Sequence, residues 1–211
     1  MAAVSVPPRL SVAGAVGLAV LLAVLTYLIG RQTGDHALTR PGAVDVGFSQ
    51  DMATHHDQAV VMANMALTRG SPAVQGIADT ILTDQSQEIG QLRGWLQLWN
   101  EPIADPHPMS WMPADAMSGH AMSDGLMPGM ASPGELATLY TKTGKQFDVL
   151  FLQLMIRHHQ GGLEMSHYAE THARLAGVRT AATAMRVEQA QDLTLMVPLL
   201  QTDGAKELPA P

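Results

Sequence analysis

Two copies of one string carry imidazole and thioether groups at fixed spacing. Phe48, Met52, His55, His56, Met62 and Ala66 recur 103 positions later as Phe151, Met155, His158, His159, Met165 and Ala169. Imidazole nitrogen and thioether sulfur are ligands for soft and borderline transition metals, whereas Mg, Ca and Mn take oxygen. At about 100° per residue, Met52, His55, His56, Met62 and Ala66 fall on one stripe of a helix, so these groups flank the face it buries.

A lone inward histidine is ordinarily a core residue bonded to a carbonyl or carboxylate, because an unpartnered buried imidazole is costly. Duplication changes that reading. Pseudo-symmetry brings His55, His56, His158 and His159 towards one another, with Met52 and Met155 one turn away. Four imidazoles that close depress one another's basicity and compete for few acceptors, whereas a metal ion uses all of them. Softness then selects copper: thioethers suit Cu(I), and the imidazoles also accept Cu(II).

The repeat continues with its offset increased by one, so that Ile81, Asp84, Gln85, Gln87, Glu88, Ile89 and Leu92 answer to Met185, Glu188, Gln189, Gln191, Asp192, Leu193 and Met196. Asp84 with Glu88, and Glu188 with Asp192, are matched carboxylate pairs at i, i+4 beside Gln85 and Gln189. Such groups either hold the second nitrogen of the imidazoles as acceptors or form solvated helix faces.

Each repeat needs two helices to position these groups. The first starts near Asp45 or Ser49, which can cap backbone N–H groups, and ends near Arg69 and Gly70. Ser71-Pro72 opens the second, which carries Ile77, Ile81, Ile89, Leu92 and Leu96 to Trp99 and stops at Asn100, Glu101 and Pro102. A third begins around Pro133 to Glu135, with a bend near Gly144 and loosening at Gly161-Gly162. Gly177 separates it from a fourth, which reaches Gln201 with a kink or early end at Pro198. Short connections make each pair an antiparallel hairpin. The expected architecture is all-α: a ferritin-like four-helix bundle over residues 45–201, built from repeats at 45–99 and 134–201, followed by a tail at 202–211.

Between the repeats, residues 102–133 are rich in proline and lack apolar periodicity, which predicts a loop. His107, Met109, Met112, Met117, His120, Met122, Met127 and Met130 all lie there. A loop has no core to fill, so the expectation is a set of exposed thioethers that wrap Cu(I), an accessory collector beside the bundle.

Cysteine is absent, which excludes disulfides, thiolate sites, a cysteine nucleophile and a lipoprotein anchor. The formal charge of -7, with no basic cluster, argues against nucleic acid as a partner. Leu10 to Ile29 is a run of 20 residues without charge, bounded by Arg9 and Arg31, and roughly 20 apolar residues span a bilayer core. Residues 1–31 are therefore expected to be a transmembrane helix, an uncleaved anchor rather than a signal peptide, since no small-x-small cleavage site stands near Thr26 to Gly34. A linker at 32–44, with a solvated His36, places the bundle outside the cytoplasm, or in the periplasm or medium if the segment is cleaved.

With Phe147-Asp148, Phe151, Met155-Ile156, His158-His159, Gly162 and Met165 in line, the sequence resembles the domain of unknown function 305 family over nearly all of residues 44–201, and both His-His copies match. The resemblance implies a ferritin-like helical fold, frequent export, and kinship with copper-binding proteins of the cell envelope linked to copper tolerance. It also implies a ligand set: Met52, His55, His56 and Met62, then Met155, His158, His159 and Met165. The copies differ at Asp57-Gln58-Ala59 against Gln160-Gly161-Gly162, and Asn64 stands where the second copy has His167, which predicts half-sites of unequal strength.

The function expected from these residues is a membrane-anchored protein that sequesters copper or exchanges it with a donor or acceptor protein, without catalysis. A di-iron oxidoreductase on the same bundle would need Glu-x-x-His on two helices; Glu164 to His167 supplies one, and its counterpart, Val61 to Asn64, has neither ligand. A metal-free envelope scaffold is the third alternative.

Overall fold

The computed structural model describes residues 17–28, 40–113, 116 and 125–209, and the described residues contain helices and no β-strand. The chain divides into two units, residues 1–40 and 41–211. In the first, residues 17–28 form helix α1, whose Leu18, Leu21, Leu22, Leu25 and Leu28 are exposed. Among the described residues no helix is long and apolar enough to cross a membrane. Residues 10–16 and 29 of the uncharged run, and residues 32–39 of the linker with His36, lie outside the described residues.

The second unit holds α2 (Ala43–Arg69), α3 (Pro72–Trp99), α4 (Pro133–Thr141), α5 (Gly144–His172) and α6 (Ala176–Thr202). Helices α2 and α3 form one hairpin and α5 and α6 the other, joined mainly through α2 against α5. Four long helices in two repeated hairpins are thus present as the sequence predicts.

Local chemistry sets the boundaries. Helix α2 starts two residues earlier than expected: Gly42 is the N-cap, and Asp45 reaches back to accept its N–H at 2.8 Å. Asp45 is wholly buried and also accepts from Leu175 N at 2.8 Å and Arg174 N at 3.1 Å, which ties the start of α2 to the α5–α6 turn. Helix α3 has Pro72 in its first turn and ends at Asn100, whose left-handed φ of 58° turns the chain out. The expected third helix is two helices. Ser132 and Glu135 close a capping box on α4, and the break precedes Gly144, which has a φ of 54° that glycine adopts at little cost. Pro198 does not end α6, which continues to Thr202.

Along both α2 and α5 the His-His pair separates two apolar clusters. Met62 and Met155 belong to one, with Phe147, Phe151 and Leu200. Met52 and Met165 belong to the other, with Phe48, Leu92 and Met185.

Candidate metal centre

All eight Met and His side chains of the repeated motif are wholly buried. Helix α2 supplies Met52, His55, His56 and Met62, and α5 supplies Met155, His158, His159 and Met165. His55 and His158 stack with ring centroids 3.8 Å apart and 31° between planes. His56 lies 6.2 Å from His55, and His159 lies 6.1 Å from His158, centroid to centroid.

Three of the four rings are held by their Nε2. His55 Nε2 donates to Pro128 O at 3.0 Å, His158 Nε2 to His55 O at 3.0 Å, and His159 Nε2 to Asp192 Oδ2 at 3.0 Å. His56 Nε2 stands 2.9 Å from Glu88 Oε2, close but outside hydrogen-bond alignment. In His55, His158 and His159 the facing oxygen accepts, so Nε2 carries a proton and Nδ1 is left free. All four Nδ1 atoms are buried without a partner.

Burial, above all, drives His55 and His56 down to about 3, and neighbouring imidazoles add to it: chiefly His56 on His55, and His159 on His56. His158 is lowered for the same reasons, burial first and His55 next. Rings kept neutral at ordinary pH are in the form that binds metal.

The carboxylates divide by role. Glu88 and Asp192 face the imidazoles, as the alternative of acceptor groups predicts, while Asp84 and Glu188 line a cleft between α3 and α6 with Glu88. Glu88 and Glu188 share a side-chain hydrogen bond. Glu88 is pushed up to about 7 by burial, with Asp84 and Asp192 adding to it; Glu188 is pushed up to about 7 by burial and then by Glu88. Gln85 and Gln189 are buried, with Gln85 Oε1 and both amide atoms of Gln189 unpartnered.

The histidines do not close a cage alone, since among the described residues no three His, Asp or Glu side chains converge to hold an ion. Four unpartnered imidazole lone pairs flanked by four buried thioethers fit a soft ion of low coordination number, with sulfur completing what nitrogen leaves open.

Residues 45–200 match the family Domain of unknown function (DUF305). The chain belongs to the DUF305 family. A DUF305 protein of Streptomyces coelicolor is 35% identical to it, with a TM-score of 0.71 over 78% of this chain and 96% of its own. A DUF305 fragment of Deinococcus radiodurans is 30% identical, with a TM-score of 0.64 over 77% and 99%. CopM in its Cu(II)-bound form is 28% identical, with a TM-score of 0.59 over 75% and 96%. No curated protein matches the chain.

In this DUF305 chain the methionine loop departs from the expectation of exposed thioethers. Met109, Met112 and Met127 are buried in the cluster that contains Met52 and Met165, and Met130 is half-buried against it. They do fill a core. His107 is exposed, and Met117, His120 and Met122 lie outside the described residues. The loop is strapped to α2 by three side chains, of which Asp51 and Gln58 were not singled out by the spacing of the ligand types. Asp51 accepts from Met109 N at 2.6 Å and Trp111 Nε1 at 2.7 Å. His55 holds Pro128 O, and Gln58 takes both backbone groups of Ala131, accepting from its N–H at 2.6 Å and donating to its O at 2.9 Å.

Their signal was present where the two copies differ. Gln58 corresponds to Gly161, and a Cβ on Gly161 would stand 2.1 Å from Pro128 O. One copy binds the loop and the other makes room for it, so the asymmetry serves the single crossover. Of the Glu-x-x-His pair, His167 is exposed, and with Glu164 it lines a surface cleft beside Tyr168 and His172.

Proposed function

We propose that this protein binds copper in the extracytoplasmic space, where it sequesters the ion or exchanges it with a donor or acceptor protein, and that it catalyses no reaction itself. One observation carries the reading: four wholly buried imidazoles present unpartnered Nδ1 atoms flanked by four buried thioethers. The metal ligands are drawn from Met52, His55, His56, Met62, Met155, His158, His159 and Met165. Support comes from CopM, which is 25% identical in its Cu(I)-bound form and 28% in its Cu(II)-bound form.

Placement at the envelope is supported by the Streptomyces coelicolor relative, described as a secreted protein. The uncharged run from Leu10 to Ile29 supplies the single-pass anchor, with the bundle beyond it.

The full chain in detergent, loaded with Cu(I) under reducing conditions and set against a chromogenic Cu(I) chelator, tests the reading. Withdrawal of copper from the chelator by the native chain, and its loss in H55A/H158A with helix content retained, is the expected result. A chelator signal unmoved by the native chain would overturn it.

A further inference from the structure

The fully buried imidazole cluster must be reached from somewhere, and its two sides differ. On one side Pro128 and Gly129 lie so close to α5 that a Cβ on Gly129 would stand 2.4 Å from Arg157 O and 3.0 Å from His158 O. Entry there requires displacement of backbone. On the other side lies an open cleft of about 310 Å³ between α3 and α6.

We propose that this cleft, lined by Asp84, Glu88 and Glu188, is the port through which hydrated Cu(II) enters the cluster. The inference rests on the copper reading and adds a route and an oxidation state to it. Three carboxylates and no basic side chain line the cleft. Glu88 joins it to the interior: its side chain is 13% exposed, yet its Oε2 is 2.9 Å from Nε2 of the wholly buried His56. Neither ring nitrogen of His56 has a hydrogen-bond partner, and the one facing Glu88 is Nε2, so a ring able to bind a cation stands directly behind the carboxylate. The pseudo-symmetric Asp192, 16% exposed, is by contrast hydrogen-bonded to His159 at 3.0 Å, so the open connection is on the Glu88 side.

The order of events follows from ligand type. Carboxylate oxygens suit a hydrated divalent ion and offer little to Cu(I), so Asp84 and Glu188 collect Cu(II) from water. Glu88 then passes it to His56, and no electron or covalent bond changes hands. A cleft lined by one sign of charge raises association rates by about 10–1,000-fold, an effect removed by salt.

Rapid mixing of the full-length apo protein in detergent with Cu(II), followed through the absorption of the imidazole–Cu(II) complex, tests the port. D84N/E188Q removes two carboxylates that are not the ones facing the imidazoles. The expected result is loading slowed by about 10-fold at low salt, convergence with the native rate at high salt, and unchanged final occupancy. If the double variant loses helix content, D84N and E188Q singly replace it, each with about a 3-fold slowing. Native-like loading rates at low salt in a folded variant would overturn the port and leave the copper reading intact. A native chain that takes up no Cu(II) or Cu(I) would overturn both.

Discussion

His55 and His158 meet face to face at the centre of the bundle, 103 residues apart in sequence and 3.8 Å apart between ring centroids. The contact joins the two repeats, yet it is asymmetric: His158 bonds to the backbone of its partner, at His55 O, whereas His55 bonds to the crossover loop at Pro128 O. Strict two-fold symmetry would send His55 to the carbonyl of His158, where Gly129 lies instead. Loop and imidazole cluster are one structure.

The acceptors behind the outer rings should set copper affinity. Asp192 bonds His159 at 3.0 Å, leaving its Nδ1 free, and Glu88 stands 2.9 Å from His56. Loss of such a partner typically costs about 10–100-fold in metal affinity. D192N and E88Q are each expected to lower copper affinity by that order in chelator competition, with little change in helix content. Native affinity in both would show that ring orientation does not depend on these carboxylates.

Acid should unfold the apo protein through its histidines. His55 and His56 titrate near 3 when folded against an ordinary 6.5, and His158 is lowered too, so the unfolded chain takes up protons first. Stability from these neutral rings is present above pH 6.5 and is lost as pH falls from 6.5 towards 3. Glu88 and Glu188 act in the opposite sense. Raised to about 7 from 4.5, they contribute stability that is full below pH 4.5 and is lost as pH rises through 7. Three wholly buried rings outweigh two carboxylates that reach solvent, so the net loss between pH 6.5 and 5 should be on the order of a few kcal/mol. Thermal unfolding of the apo protein at stepped pH measures it, and a melting temperature constant from pH 7.5 to 5 would contradict it.

The bundle was legible in the sequence because helices write their buried face at a fixed period. The repeat marked His55 with His158 as one centre, and the matched positions of Glu88 and Asp192 put carboxylates beside His56 and His159, which the sequence left open between acceptor groups and solvated faces. The loop was not legible, since burial of Met109, Met112 and Met127 depends on contacts with Asp51 and Gln58 that lie 58 to 73 residues away in sequence. No local pattern encodes such distances. Composition suggested exposure, and tertiary bonds reversed it.

Asp51 should act as the clasp of that loop. Its buried carboxylate accepts from Met109 N and from the indole N–H of Trp111. D51A would leave both donors unpartnered, at roughly 1–3 kcal/mol for each one that stays buried. The expected result is lower resistance to urea together with a red shift in tryptophan fluorescence as Trp111 gains water. Native urea resistance and emission in D51A would remove Asp51 from this role.

Two adjacent glycines of α5 should respond differently to alanine. A Cβ on Gly161 would stand 2.1 Å from Pro128 O and 2.4 Å from its carbonyl carbon, and backbone cannot step aside. On Gly162 it would stand 2.1 Å from Gln189 Oε1, the tip of a side chain that can rotate. Helix propensity favours alanine by about 1 kcal/mol at both sites, against about 1–3 kcal/mol for overpacking that cannot relax. G161A should therefore be destabilised by up to about 2 kcal/mol, and G162A should lie within about 1 kcal/mol of the native chain. Equal unfolding midpoints for the two variants would contradict the close seating of the loop on Gly161.

Methionine to leucine exchange separates thioethers that bind metal from those that fill space. The two side chains are close in volume, so each exchange in the core costs less than about 1.5 kcal/mol. Met52 and Met155 flank the histidines at three residues' distance on α2 and α5, whereas Met109 and Met112 pack against Trp111 and the loop side of the second cluster. M52L/M155L should weaken Cu(I) binding more than Cu(II) binding, because sulfur matters most to the softer ion. M109L/M112L should lower stability by a similar amount and leave Cu(I) affinity unchanged. Chelator competition for each oxidation state, read beside thermal unfolding, makes the comparison. A fall in Cu(I) affinity in M109L/M112L as large as in M52L/M155L would return these loop methionines to the role of metal ligands.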